Sequence, residues 1–202
     1  MPSDVITAED VQGRADVQRL LPRSLNHALA RARDIPHPWY RCQALSFVAE
    51  AQGDRATRLR TLKESFAAAF EQGEPNRVVA VASWPLHVLI KTDTDEAERQ
   101  VDRLLGVAAT EPHGLRRLDA LSRTLWAVAP VQHLRETVFA PFFATASACT
   151  GWRAERIVGS VAERMASLDP LLGQRLLDSR SQNRFTNRAR TAITAQLRHD
   201  DA

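Results

Sequence analysis

The stretch Asp34-Ile-Pro-His-Pro-Trp-Tyr-Arg41-Cys-Gln-Ala44-Leu45-Ser-Phe-Val-Ala49 decides the fold. An acid and two prolines mark a turn, and Pro38 suits the first position of a helix, where a missing amide hydrogen costs nothing. An arginine follows, and then small and apolar residues at helical spacing. The same shape returns three times, as Arg77-Val-Val-Ala80-Val81, Arg117-Leu-Asp-Ala120-Leu121 and Arg156-Ile-Val-Gly159-Ser160. The arginines are 36, 40 and 39 residues apart. Glu74-Pro75 and Glu111-Pro112 precede the second and third copies, so an acid recurs in three of the four turns.

A second helical pattern precedes the first of these segments and lies between the later ones, near residues 17–33, 55–71, 95–109 and 133–149. Leu59, Leu62, Phe66 and Phe70 put one apolar stripe on the second of them, and Ala97, Val101, Leu104, Leu105 and Ala108 do so on the third. Start signals agree: Thr7 with Asp10, Asp54, Asp95 with Glu98, and Asp169 ahead of Pro170 read as helix caps that satisfy first-turn amides. Pro85 and Pro141 fall inside helical patterns and predict a kink or a break. The β-branched runs Val78–Val81 and Ile157-Val158 sit within helical patterns, so no strand is expected.

A period of 36–40 residues with two helices per period is that of a stacked helical-hairpin array, in which neighbours bury what one hairpin cannot. The expected fold is all-α: a right-handed α-solenoid of four to five antiparallel helical hairpins. Residues 1–202 form one helical-repeat domain, with residues 1–16 as an N-terminal cap and residues 171–202 as C-terminal cap helices. With this repeat in place, residues 17–168 resemble the unit of bacterial HEAT and TPR-like α-solenoids, in which a turn with Pro and an aromatic precedes Arg-x-x-Ala-Leu. The second copy lacks the aromatic, and the fourth has Gly159 in place of Ala. The resemblance implies a binding scaffold and carries no catalytic residues.

Composition narrows the classes further. The 202 residues include 31 Ala, 22 Leu, 25 Arg and 2 Lys, and 44% are hydrophobic, too many for a disordered chain. No apolar run approaches the length of a membrane span. MPSDVITAED reads as no signal peptide, and Cys42 and Cys149 are isolated, so a cytoplasmic place with reduced thiols is expected. The net charge of +3 resides wholly in residues 171–202, leaving residues 1–170 neutral. A neutral body is not the footprint of a dedicated nucleic-acid binder.

No catalytic motif emerges. The six histidines lack metal-ligand spacing, and His37 and His113 read as polar turn residues. Nucleophile-elbow and phosphate-loop patterns are missing, and Asp93, Asp95, Glu96 and Glu98 read as a helix start. No cofactor is expected. The repeat arginines admit two readings: a ladder for acidic partners, or bridges to Asp34, Glu74 and Glu111 that fix the stacking. Trp84 and Trp126 are expected in the core. Trp39, Tyr40 and Arg41 at one unit start, and Trp152 and Arg153 at another, are the candidate partner contacts, because exposed Trp and Arg are typical anchors. Arg180, Arg184 and Arg188 would form a basic stripe on a continuous helix, though residues 179–187 read equally as a loop. The functional expectation is a non-enzymatic scaffold for a protein or peptide. The other class left open is a HEAT-like nucleic-acid binder or DNA glycosylase using Arg and Trp.

Overall fold

The computed structural model describes residues 5–178 and 180–200, with side chains to Arg198. The chain is all-α: the described residues form eleven helices and no strand. They divide into two compact units that meet in sequence at Thr110 and Glu111. The first holds α1 (Ala8–Leu20), α2 (Leu25–Arg33), α3 (Pro38–Ala51), α4 (Arg55–Phe70), α5 (Pro75–Leu89) and α6 (Thr94–Ala109). The second holds α7 (Gly114–Val128), α8 (Gln132–Ala148), α9 (Trp152–Met165), α10 (Pro170–Leu177) and α11 (Arg184–Asp200).

The repeat is real at the level of helices. Hairpins begin at residues 38, 75, 114 and 152, in steps of 37, 39 and 38. In the first unit α3 packs on α1, α2, α4 and α5, and α5 packs on α4 and α6. In the second unit α9 packs on α7, α10 and α11. The first helix of each hairpin is therefore buried on more than one side, which explains why α3 hides Cys42, Ala44, Leu45, Val48 and Ala49 around nearly its whole girth. The second helices bury a single stripe, as Ala97, Val101, Leu104 and Ala108 do on α6. Alanine recurs because small side chains let helices pack closely on several sides.

Gly159, the one departure from Ala in the repeat, has a cause. A Cβ there would lie 2.8 Å from the Phe185 carbonyl oxygen, so glycine lets α11 cross α9 at that point. Gly151, with φ at +90°, turns the chain into α9 in a conformation other residues rarely adopt.

The caps account for much of the punctuation. Thr7 and Asp10 form the expected capping box on α1. Asp54 and Asp169 cap α4 and α10. On α6 the cap is Asp93, two residues earlier than expected, and its carboxylate accepts from the Glu96 amide at 3.0 Å. The turn histidines are caps as well: Nδ1 of His37 accepts from the Trp39 amide, and Nδ1 of His113 from the Arg116 amide. Two expectations fail in part. The pattern at residues 17–33 is two helices, parted by a turn that includes Pro22, whose ring cannot continue a helix. Conversely, α5 and α8 run through Pro85 and Pro141 without a break, since packing on neighbours outweighs one lost hydrogen bond.

Two of the repeat arginines, Arg41 and Arg117, close turns by a route the sequence conceals, and Arg58 and Arg135 do the same; Arg77 instead pairs with Glu74 of its own turn at 3.6 Å, as one of the two readings expected. Arg41, Arg58, Arg117 and Arg135 each occupy the fourth position of a helix, and each guanidinium folds back to the carbonyl six residues earlier. Arg41 donates to Ile35 O at 3.1 Å and Pro36 O at 3.0 Å. Arg58 donates to Gln52 O at 3.1 Å and Ala49 O at 3.2 Å. Arg117 reaches Glu111 O at 2.9 Å, and Arg135 reaches Ala129 O at 2.7 Å. The last carbonyls of a helix have no partner within it, and a cation there also favours the negative end of the helix dipole. Arg58 and Arg135 thus cover carbonyls at the ends of α3 and α7, and Arg41 and Arg117 cover carbonyls of the turns that lead into their own helices. Arg41 additionally pairs with Glu71, a turn further along the array than its own.

Candidate functional site

Each candidate contact has a definite place. Trp39 and Tyr40 are half-buried at the start of α3. Tyr40 packs against the cluster of Val17, Ala28, Ile35, Leu45 and Val48. Its ring meets His37 edge-on at 6.0 Å, with the Arg14 guanidinium at 5.2 Å from its centroid. Arg41 is spent on two carbonyls and Glu71. This trio serves the turn, and of the three only Trp39 and Tyr40 leave part of a ring to solvent.

The second cluster differs. Trp152 is 58% exposed at the first position of α9. The guanidiniums of Arg153 and Arg156 lie 5.3 and 5.6 Å from its ring centroid. Both arginines are exposed, and among the described residues neither has a carboxylate partner. Arg156, the fourth repeat arginine, thus departs from Arg41 and Arg117: it flanks an aromatic instead of donating to carbonyls of the preceding turn. The sequence could not single it out, because its spacing matches the others.

Beside Trp152 lies an open cleft of about 640 Å³, lined by Phe143, Cys149, Glu155, Arg180 and Asn183 among others. Its polar wall is internally satisfied. Arg180 donates to Cys149 O at 3.0 Å, to Ala146 O and to Glu155 Oε1 at 2.9 Å, which caps the end of α8. Asn183 donates to the other Glu155 oxygen at 3.3 Å, and its own side-chain oxygen accepts from the amides of Phe185 and Thr186. These contacts hold the cleft wall, and at its edge stands the Trp152 ring with the two guanidiniums beside it.

The tail arginines do not form a stripe on one helix. Arg180 precedes α11 and is largely buried in the network above. Arg188 pairs with Glu163 at 2.7 Å, and Arg184 stands 4.6 Å from the Phe185 ring. Trp84, expected in the core, is 38% exposed and meets Phe47 edge-on at 5.3 Å. Trp126, also expected in the core, is half-buried, with its indole nitrogen buried and without a hydrogen-bond partner.

Other chemistry is sparse. Cys42 and Cys149 are free thiols; burial pushes Cys42 up to about 12, so it stays protonated at neutral pH. Among the described residues no group of His, Cys, Asp and Glu could hold a metal ion, and no helix is long and apolar enough to cross a membrane. Sequence reasoning missed a groove between α4 and α6, because Leu59 and Phe70 carry helical core spacing yet remain half-exposed. No family model matches the chain, and neither a curated protein nor a solved structure matches it.

Proposed function

We propose that this chain is a non-enzymatic interaction module, built of stacked helical hairpins of the HEAT and TPR-like kind, that binds an acidic segment of a protein partner. The observation that carries this reading is Trp152, exposed at 58% and flanked by the guanidiniums of Arg153 and Arg156, neither of which has a carboxylate partner among the described residues. An exposed indole offers a large rigid contact, and uncommitted arginines beside it suit carboxylates in forked geometry. The free thiols accord with a reducing compartment, and a cytoplasmic place goes with this reading. Tyr40, Arg41 and Arg180 belong to the framework that holds the turns; Trp39 remains a peripheral contact.

The same pair of chemistries, a ring to stack a base and cations for phosphates, also serves single-stranded nucleic acid. Ion pairing of Arg180 and Arg188 within the chain removes the basic track such binding uses. One titration separates the readings. An array of twelve-residue peptides, acidic and with one apolar anchor, is probed alongside a labelled fifteen-residue oligothymidylate at physiological salt. Peptide binding that falls at least about tenfold in Trp152→Ala, and again in Arg153→Glu with Arg156→Glu, supports the module. Tighter binding of the oligonucleotide, or peptide binding indifferent to all three substitutions, overturns it.

A further inference from the structure

The groove between α4 and α6 lies wholly in the first unit and is independent of Trp152. It encloses about 540 Å³. Its floor is Leu62, Phe66 and Leu89, all nearly buried, and its upper walls are Leu59, Ala67 and Phe70, which remain partly open to solvent. Both helices rest on α5. Arg55 ties the start of α4 to the cap of α6, donating to Asp93 Oδ2 at 2.6 Å and to Thr92 O at 3.2 Å. Toward the other end the Arg103 guanidinium sits 3.5 Å from the Phe70 ring centroid. The lining on α4 runs from Leu59 to Phe70, about 18 Å of helix, or some three turns.

Charge is the second observation. The two acids of the groove are already engaged. Asp93 caps α6 and pairs with Arg55. Glu96 accepts from Gln100 at 2.8 Å and pairs with Arg99, and these hydrogen bonds, Gln100's foremost, hold its carboxyl below the usual range. On the opposing walls Lys63 and Arg103 have no carboxylate partner among the described residues. An apolar trough thus carries one uncompensated cation on each bank.

From this we infer that the α4–α6 groove is a docking site for an amphipathic helix of a partner protein, with an apolar stripe in the trough and acidic residues on both flanks. The trough has the length of three helical turns, and a helix seated between two others packs its ridges into their grooves. Lys63 and Arg103 select acids on either side of the stripe and fix which face is presented.

The test uses the full chain and a display library of fourteen-residue helical peptides with a fixed apolar stripe and randomised flanks. Selection is expected to enrich Asp and Glu on both flanks. The best peptide, by fluorescence anisotropy, should lose at least about tenfold in affinity on Lys63→Glu with Arg103→Glu, and a peptide with Lys for Glu on its flanks should regain most of that loss on the variant. Lys63→Glu alone, at an exposed position, gives a smaller loss in the same direction and guards against a folding defect, which circular dichroism also reports. Arg153→Glu should leave this binding unchanged, so failure here and failure at Trp152 are told apart. No enrichment, neutral or basic flanks, or indifference to charge reversal would overturn the inference. So would binding of a fluorescent dodecanoate with the same variant dependence and no helical binder, since the groove would then hold a small amphiphile.

Discussion

Replacing Arg135 by Met keeps the apolar stem of the side chain and removes its head. Arg135 is 7% exposed. It gives Ala129 O a hydrogen bond of 2.7 Å and Asp169 Oδ2 a long one of 3.4 Å. The short, charge-assisted bond contributes roughly 1.5–3 kcal/mol, and its loss leaves a carbonyl of a wholly buried residue without a partner. The long bond adds little at that distance. Against this, Arg135 Nε is itself buried without a partner, and its removal returns roughly 1 kcal/mol. The net expectation is a loss of about 2 kcal/mol, read from urea unfolding followed by circular dichroism with an unchanged slope. Arg123→Met is the control: Arg123 is exposed, pairs with Asp119 one turn away at 3.2 Å, and its loss should cost under about 0.5 kcal/mol. If the two substitutions cost the same, the carbonyl clamp contributes nothing and the repeated arginines need another explanation.

Three further outcomes follow from local geometry. The Asp10 carboxyl is opposed by burial but held below its ordinary value by hydrogen bonds from the Thr7 hydroxyl and amide and the His37 amide, so its contribution to stability is full above about pH 5 and fades as the pH falls through its folded value. The difference in unfolding free energy between the protein and Asp10→Asn, about 1–2 kcal/mol at neutral pH, should therefore shrink in acid titration and stay constant above about pH 5. Gly159→Ala places a methyl 2.8 Å from the Phe185 carbonyl and should lower the melting temperature, costing roughly 1–3 kcal/mol. Gly106→Ala on α6 meets nothing within 4 Å and should raise stability by nearly 1 kcal/mol.

Much of the fold was legible because helices announce themselves locally. Asp54, Thr7 and Asp169 cap where the sequence places them, and the hairpin period survives to within three residues at every step. The role of the repeat arginines was half-legible. Reading Arg41 against an acid found Glu71 of the neighbouring turn instead of Asp34, and the dominant acceptors proved to be carbonyls. A carbonyl has no letter in the sequence, since every residue carries one, so a side chain aimed at the backbone leaves no pairing to detect. Gly159 looked like a defect in the repeat because its neighbour, Phe185, lies far along the chain. Trp84 failed for the opposite reason: a large aromatic at helical spacing reads as core, yet side-by-side helices leave one edge of such a ring uncovered. At the candidate site the residue types were visible, but which arginines remained uncommitted was decided by contacts distant in sequence.

The clamp that reaches back six residues has a kinetic side. Bringing its ends together is loop closure over a very short span, an event of roughly tens of nanoseconds. Each turn that Arg41, Arg58, Arg117 and Arg135 close can thus be sealed before any distant helix has docked. The search for the native arrangement is reduced to stacking preformed corners, and proteins dominated by such near-neighbour contacts are the rapid folders.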